Sequence, residues 1–195
     1  MAPLREAPWR RMELLPLDER LANDAAFQAP WYRLVATMAA GKRVLDVGAG
    51  TGYGAVLLRA GGVAEVLGID PLPAGAGVVS TPLADIPSGS WDWAVAMDVI
   101  EHVQEDLPFL RDLMRVARER VFFSTPNWTR SRCANEFHVR EYTPAELRAL
   151  LSAAAPGAPW QAWIGDDDWT LTPLGAELHD DEARANFGVL LEVTR

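Results

Sequence analysis

The feature that most constrains the fold of this chain is an apolar run that ends in a glycine-rich turn. The run 44–47 (VLDV) leads into the turn 48–54 (GAGTGYG), and residues 55–60 then have a helical pattern that closes at two glycines. This order predicts a strand, a tight turn and a helix, which together open a parallel α/β sheet. Glycines in such a turn let the backbone approach a ligand closely, and the following helix directs free N–H groups toward it.

The rest of the chain continues the alternation of strands and helices. Near the N-terminus, Asp18 is a candidate N-cap of a helix that runs toward Ala40 with a break at Pro30. The string TPAE at 143–146 starts another helix, which we expect to run to about residue 154. Periodicity predicts one more helix over 107–117 and further strands at 63–69, 78–81, 91–97, 121–124, 160–164 and 188–193. This alternation implies a mostly parallel sheet covered by helices on both faces.

Composition excludes several classes of protein. The chain has 18 Lys and Arg against 27 Asp and Glu, a net charge of −9, which argues against a generally basic nucleic-acid binder. Its single cysteine, Cys133, excludes a disulfide framework and a cysteine-cluster zinc site. No apolar run approaches the ~20 residues of a membrane span, and the N-terminus lacks a signal-peptide pattern. We therefore expect a cytoplasmic protein with no membrane partner. We also expect one domain over 1–195, in which 1–40 form an arm and lid helix and 41–195 form the ligand-binding core.

Three acidic residues indicate which ligand the glycine turn binds. Asp46 lies two residues before the first glycine, where its carboxylate would repel a pyrophosphate but suit a cationic ammonium group. This argues against a nicotinamide oxidoreductase and favours S-adenosylmethionine, which has an α-amino group and a sulfonium but no phosphate. Asp70 ends the next strand, at the distance at which an acid holds ribose hydroxyls. Asp85 precedes the fourth strand and is a candidate acceptor for the adenine amino group.

These motifs resemble those of the class I S-adenosylmethionine-dependent methyltransferases. The resemblance is carried by Val44–Gly54, Gly68–Asp70, Asp85–Pro87 and Trp91–Val103. The stretch Phe123–Leu151 fits a branch with ubiquinone-biosynthesis-like O-methyltransferases and bacterial and phage enzymes of unassigned substrate. The resemblance implies a Rossmann-like, seven-stranded, mostly parallel sheet with a C-terminal antiparallel hairpin. It also implies a transferase that converts S-adenosylmethionine to S-adenosylhomocysteine.

The resemblance also implies a set of cofactor contacts at the glycine turn and the strand ends. We expect contacts from Asp46, Gly48, Ala49, Gly50, Gly52, Tyr53, Asp70, Pro71, Asp85, Ile86 and Met97. One segment departs from the family, because Pro71–Gly77 is too rich in proline and glycine for the helix that usually follows the second strand. One edge of the adenine pocket should therefore be thinner than usual.

The Glu101-His102 pair follows the fourth strand at the mouth of the expected cleft and allows three interpretations. In the first, both side chains only orient the loop. In the second, His102 is a general base that takes the proton of an acceptor hydroxyl. In the third, Asp98, Glu101, His102 and His138 hold a divalent metal such as Mn²⁺, Fe²⁺ or Co²⁺. The third pattern is similar to that of the small-RNA 3′-terminal 2′-O-methyltransferases, although Asp98 stands where glutamate is usual. We favour the first two interpretations over a metal.

The acceptor side has fewer signals. Asn127 and Trp128 follow the fifth strand and are candidates to project into the cleft, and Trp31 and Tyr32 lie on the expected lid helix. Acidic loops at 166–168 and 179–182 argue against RNA docking by simple repulsion. The sequence therefore predicts O-methylation of a small-molecule or glycan-like acceptor, with His102 as the catalytic base. The alternatives are a metal-dependent RNA 3′-terminal 2′-O-methyltransferase and a non-catalytic S-adenosylmethionine-binding subunit or sensor. The sequence leaves the oligomeric state open.

Overall fold

The computed structural model of the chain describes residues 19, 22, 27–166, 168 and 170–194. The strands are β1 (Arg43–Val47), β2 (Glu65–Ile69), β3 (Val78–Val79), β4 (Trp91–Met97), β5 (Ala117–Pro126), β6 (Trp160–Gly165), β7 (Leu171–Gly175) and β8 (Asn186–Glu192). The helices are α1 (Ala29–Met38), α2 (Tyr53–Ala60), α3 (Asp106–Val116), α4 (Trp128–Ser131) and α5 (Pro144–Ala154), with 3₁₀ turns at Leu83–Asp85 and Ile100–His102. The predicted N-cap Asp18 lies outside the described residues.

The eight strands form one sheet in the order β3-β2-β1-β4-β5-β8-β6-β7. Neighbours from β3 to β5 are parallel, whereas β8 runs antiparallel to both β5 and β6, and β7 runs antiparallel to β6. This confirms the predicted Rossmann-like, mostly parallel sheet with antiparallel C-terminal strands. The expected strand number of seven is wrong by one, because β7 adds a strand at the edge. Pro173 lies in β7, which fits an edge position, where a strand does not need every N–H for pairing.

The core lies on both faces of this sheet, and β5 contributes to both. Phe122 packs with Trp31 of α1 and Leu58 of α2 on one face, whereas Phe123 packs with Leu110 of α3 and Leu147 of α5 on the other. The alternation follows from the two-residue period of a strand. Each such fully buried side chain stabilises the fold by about 1.5–3 kcal/mol.

The α-helix α1 begins at Ala29, immediately before the predicted break at Pro30. The proline lies in the first turn, where no helical N–H is needed. The described residues Phe27 and Gln28 before it have π-helical geometry, so the regular α-helix starts anew at this point. Trp31 is fully buried, and its ring fills the space above Gly188, where an added Cβ would lie 2.4 Å from the Trp31 Cζ3 atom. Trp31 and Tyr32 are therefore core residues that fix α1 on the sheet.

Two further expectations are confirmed by the elements themselves. The segment between β2 and β3 contains no helix, as the composition of Pro71–Gly77 predicts. Helix α5 begins at Thr143 with a complete capping box, in which Thr143 and Glu146 each bind the other's backbone N–H. None of the helices among the described residues is both long and apolar enough to cross a membrane.

Candidate active site

The glycine turn after β1 has a backbone that only glycine adopts readily. Gly48, Gly50 and Gly52 have φ values of +74°, +48° and +76°. A Cβ at Gly48 would also lie 2.5 Å from the Cγ2 atom of Val99. The turn thus needs glycine at position 48 both for its conformation and for its close contact with the segment after β4.

A cavity of about 620 Å³ lies at the carboxyl ends of β1, β2 and β4. This volume is within the usual range of ~300–1,000 Å³ for cofactor sites, and the location is the one at which open parallel sheets bind ligands. Eight of the predicted site residues line the cavity: Gly48, Ala49, Gly50, Asp70, Pro71, Met97, Asp98 and His102. Sequence reasoning missed other lining residues, including Ser80–Leu83, Val99 and Phe109, which carry no motif of their own.

Asp70 joins the first two strands at the cavity wall. It is only 5% exposed, and its Oδ2 accepts a hydrogen bond from the Gly50 N–H at 2.9 Å. Its Oδ1 accepts one from the Leu72 N–H at 2.8 Å. Each carboxylate oxygen can accept a further hydrogen bond, so Asp70 can both hold the turn and bind ligand hydroxyls.

Asp46 lies beneath the turn and does not line the described cavity wall. Its carboxylate is fully buried, and its Oδ1 accepts a hydrogen bond from the Tyr32 hydroxyl at 2.9 Å. Tyr32 in turn lies so close to Gly54 that an added Cβ would meet its ring at 2.1 Å. In this structure Asp46 therefore anchors α1 to strand β1, and a direct contact with the cofactor's ammonium group stays a prediction.

The other predicted cofactor residues lie off the described cavity wall. Gly52 and Tyr53 begin α2, and Ile86 packs into the core. Asp85 is exposed at the surface, whereas Leu83 of the same 3₁₀ turn lines the cavity. The contact of Asp85 with adenine stays a prediction that the geometry does not favour. The N-terminal segment reaches the cavity through Gln28 and not through the expected lid residues Trp31 and Tyr32.

His102 lines the cavity, and its imidazole has a defined tautomer. Its Nδ1 lies 2.9 Å from the carbonyl oxygen of Phe137, which can only accept a hydrogen bond, so Nδ1 carries the proton and Nε2 is unprotonated. Burial is the main cause that lowers the pKa of His102 to about 4, with a smaller contribution from His138. The imidazole is therefore neutral at physiological pH.

Glu101 is fully buried beside this histidine. Its Oε2 accepts a hydrogen bond from the Thr125 hydroxyl at 3.2 Å, whereas its Oε1 has no hydrogen-bond partner among the described residues. Burial, and then the negative charge of Asp98, raise the pKa of Glu101 well above its usual range. A buried carboxylate oxygen without a partner is costly and therefore indicates a specific role.

His138 comes to the same place from a distant loop. Its side chain is 9% exposed, and its Nδ1 lies 2.6 Å from Oε1 of the buried Glu141. The rings of His102 and His138 meet edge to face with centroids 4.9 Å apart. The structure thus brings together Glu101, His102 and His138, each offering a ligand atom within 4.8 Å of the others.

Asp98, the fourth member of the metal interpretation, does not belong to this group. It lines the cavity, but its Oδ1 accepts a hydrogen bond from the Ser124 hydroxyl at 2.6 Å. Its backbone has a φ of +52°, which is unusual for a residue other than glycine and turns the chain sharply after β4. The predicted four-residue ligand set is therefore reduced to three.

The predicted acceptor residues have structural contacts. Asn127 is fully buried, caps α4 by accepting from the Thr129 N–H, and donates from Nδ2 to the carbonyls of Glu182 and Arg184, both at 2.9 Å. The expectation that its side chain projects into the cleft is therefore wrong. Trp128 is 36% exposed and does not line the described cavity wall, and the Arg132 guanidinium lies 4.5 Å from the centre of its ring.

Comparison with known proteins identifies the family to which this architecture belongs. A family model described as a methyltransferase domain matches residues 21–158. The chain belongs to the S-adenosylmethionine-dependent methyltransferases. A probable S-adenosylmethionine-dependent methyltransferase of Mycolicibacterium smegmatis is 36% identical over 142 residues, which is 63% of this chain and 55% of the relative. One of Mycobacterium tuberculosis is 32% identical over 160 residues, 68% of this chain and 58% of the relative. The matched part thus spans little more than half the length of these relatives.

Solved structures of methyltransferases have the same fold. A methyltransferase of Thermotoga maritima superposes with a TM-score of 0.67 at 14% identity, covering 96% of this chain and 100% of the other. The 1,6-didemethyltoxoflavin-N1-methyltransferase of Burkholderia thailandensis has a TM-score of 0.62 at 16% identity, covering 100% of this chain and 93% of the other. The latter was solved with bound 1,6-didemethyltoxoflavin and S-adenosylhomocysteine. At such low identities the likeness shows the fold alone.

S-adenosylmethionine is the cofactor of this methyltransferase, and the residues present fit it. The backbone of Gly48 and Gly50 lines the cavity with no side chain, so a ligand can approach the turn closely. Asp70 offers carboxylate oxygens suited to ribose hydroxyls, and Leu83 and Phe109 offer apolar surface suited to a base. Bound at this site, the cofactor supplies an electrophilic methyl group on a sulfonium.

Proposed function

We propose that this methyltransferase methylates a hydroxyl oxygen of a small-molecule or glycan-like acceptor. The observation that carries the proposal is the unprotonated Nε2 of His102, a residue that lines the cofactor cavity. A hydroxyl is a weak nucleophile until its proton is removed, and a positioned neutral imidazole is suited to weaken the O–H bond. Nε2 is placed to accept that proton, while the fixed Nδ1 contact with Phe137 keeps the ring oriented.

The negative net charge of the chain favours some classes of acceptor over others. The chain has a net charge of −9, and a polyanionic acceptor would be repelled by such a protein. This supports a small, hydroxylated acceptor over RNA, which stays an alternative prediction. Among the described residues, a positioned imidazole at the cavity wall also supports a catalytic protein over a sensor that only binds the cofactor.

The experiment compares His102→Ala with His179→Ala, since His179 lies on the surface with a side chain 72% exposed. Transfer of a radiolabelled methyl group to a panel of phenols, catechols and sugars is measured, together with S-adenosylhomocysteine binding by calorimetry. We expect His102→Ala to lower turnover by the ~10²–10⁴-fold typical of losing a general base, with cofactor affinity retained. His179→Ala should match the wild type.

Each other outcome contradicts a defined part of the proposal. Unchanged turnover in His102→Ala would remove the role of that residue. Methyl transfer only to nitrogen acceptors would overturn the assignment to oxygen. Saturating cofactor binding without transfer to any acceptor would favour the sensor.

A further inference from the structure

The cluster of Glu101, His102 and His138 has a feature that a simple hydrogen-bond network does not explain. Glu101 is fully buried, and its Oε1 has no partner within the described part of the chain, although two imidazoles lie beside it. Such an oxygen lacks the compensation that a buried polar atom normally has. It is therefore an oxygen that is available as a metal ligand, on a side chain close to two imidazoles.

The two histidines both use Nδ1 in a contact with the protein, which leaves Nε2 of each ring available to bind a metal ion. In His102, Nδ1 donates to the Phe137 carbonyl at 2.9 Å, and in His138, Nδ1 lies 2.6 Å from the Glu141 carboxylate. A carbonyl or a carboxylate on one ring nitrogen fixes the tautomer and leaves the other nitrogen as a lone-pair donor. Both rings thus offer Nε2, and Glu101 offers Oε1.

The backbone also holds the two segments of this cluster against each other. The carbonyl oxygen of Glu101 accepts hydrogen bonds from the N–H groups of Val139, at 2.8 Å, and Arg140, at 3.2 Å. Glu141 is 4% exposed and accepts from the Ser131 hydroxyl and, at 2.8 Å, from the Cys133 N–H. The residue that orients His138 is therefore itself fixed by its loop.

We propose that Glu101, His102 and His138 bind a divalent transition-metal ion at the wall of the cofactor cavity. Two imidazole nitrogens and one carboxylate oxygen suit ions from Mn²⁺ to Zn²⁺. Each of the three side chains offers one ligand atom, and these atoms lie within 4.8 Å of one another. Tetrahedral bonds of about 2.1 Å would place the ligand atoms about 3.4 Å apart, so side-chain movements of up to roughly 1.4 Å would complete the site. Three protein ligands leave positions for water and for an acceptor, and His102 places the ion beside the cavity.

The consequence for catalysis rests on the proposed function. With the ion bound, Nε2 of His102 is a ligand, and the ion takes over the activation of the acceptor hydroxyl. The coordinated hydroxyl loses its proton to water, because a bound cation lowers its pKa. Its oxygen then forms a C–O bond with the methyl carbon as the C–S bond breaks, and the electron pair of that bond stays on sulfur. S-adenosylhomocysteine and a methyl ether are the products.

The test measures binding of Co²⁺ and Zn²⁺ to the full chain without a histidine tag, after dialysis against a chelator. Visible Co²⁺ absorption, its displacement by Zn²⁺ and the metal content by mass spectrometry give affinity and stoichiometry. We expect one ion per chain and loss of binding in Glu101→Gln and His138→Gln. Glu141→Gln, which loses the charge that orients His138, should weaken binding ~10–100-fold. His179→Gln should bind as the wild type does.

The controls separate this proposal from the proposed function. Circular dichroism and S-adenosylhomocysteine binding establish that each variant is folded, since neither Glu101 nor His138 lines the described cavity wall. Absence of Co²⁺ binding, or equal binding by wild type and a folded His138→Gln, would overturn the metal site. Methylation that survives chelation but not His102→Ala would leave the general base in place and also overturn the metal's role. Metal binding without methyl transfer to any hydroxyl would support the metal site and overturn the proposed function.

Discussion

Asp70 and Asp85 show how far the surroundings of a residue decide its role. Both are aspartates at the cofactor end of the sheet, but Asp70 is 5% exposed and holds two backbone N–H groups at the cavity wall. Asp85 is exposed, and Leu83 takes the place at the wall. Spacing alone cannot distinguish the two, because it does not show which side chain faces the cavity.

We expect Asp70→Asn to weaken S-adenosylhomocysteine binding at least tenfold. The amide lacks the negative charge of the carboxylate, which accepts hydrogen bonds from the N–H groups of Gly50 and Leu72. A hydrogen bond to a charged group contributes ~1.5–3 kcal/mol. Calorimetric titration measures the change, with Asp85→Asn as the matched control at wild-type affinity. The reverse ranking of the two variants would restore Asp85 as the adenine contact.

The catalytic side of the site was less predictable at the level of single residues. The Glu101-His102 pair follows a clear strand, so its position at the sheet edge could be predicted. That His138 meets it was indicated only by the resemblance to the small-RNA methyltransferases. No local spacing shows it, because the meeting depends on hydrogen bonds of a loop, including those of Glu141 and Val139. Asn127 follows the fifth strand, which suggested a side chain that points into the cleft. Its amide instead donates hydrogen bonds to two carbonyls that are distant in sequence.

At the scale of elements, prediction worked where a local signal was complete. The apolar run of β4 and the capping box of α5 gave Trp91–Met97 and Pro144–Ala154, close to their predicted bounds. Strand β7 was not predicted, because Leu171–Gly175 contains a proline and its side chains are largely accessible to solvent. An edge strand of this kind needs no apolar run that would mark it in the sequence. Pro30 was predictable as a boundary because proline disfavours a helix interior but fits the first turn, and α1 begins at Ala29.

The capping box gives a prediction for α5. Thr143→Ala should lower the free energy of unfolding by about 1 kcal/mol at pH 7, measured by urea denaturation. Hydrogen bonds from the Thr143 backbone and side chain lower the pKa of Glu146. The ionised form is thus favoured in the folded state, and this stabilisation is present above the ordinary pKa of 4.5 and lost as the pH falls through the lowered value. The difference between wild type and Thr143→Ala should therefore narrow below pH 4.5, and a constant difference down to pH 3 would contradict the assignment.

At the scale of the whole molecule, the cofactor cavity is built by several segments that are distant in sequence, from Gln28 to Phe109. A ligand that contacts all of them binds only the folded state. At a hundredfold excess over its dissociation constant, S-adenosylhomocysteine should therefore add about 2.7 kcal/mol to the free energy of unfolding. For a chain of this size the melting temperature should rise by roughly 5–10 °C in differential scanning calorimetry. The melting temperature of Asp70→Asn should rise less at the same ligand concentration. An unchanged melting temperature of the wild type would contradict the assignment of the cavity as the cofactor site.

The segment from Asn127 to Tyr142 has a consequence for the thermodynamics of ligand capture. Its two ends pair with each other, and its interior is tied to the Glu101 carbonyl and the Glu141 carboxylate. The conformational entropy of this loop is therefore lost when the chain folds, not when a ligand arrives. His138 is already ordered before any encounter, so binding at this site need not offset the immobilisation of a mobile arm. Preorganisation of this kind favours affinity from few contacts, which suits a site that presents only three donor atoms.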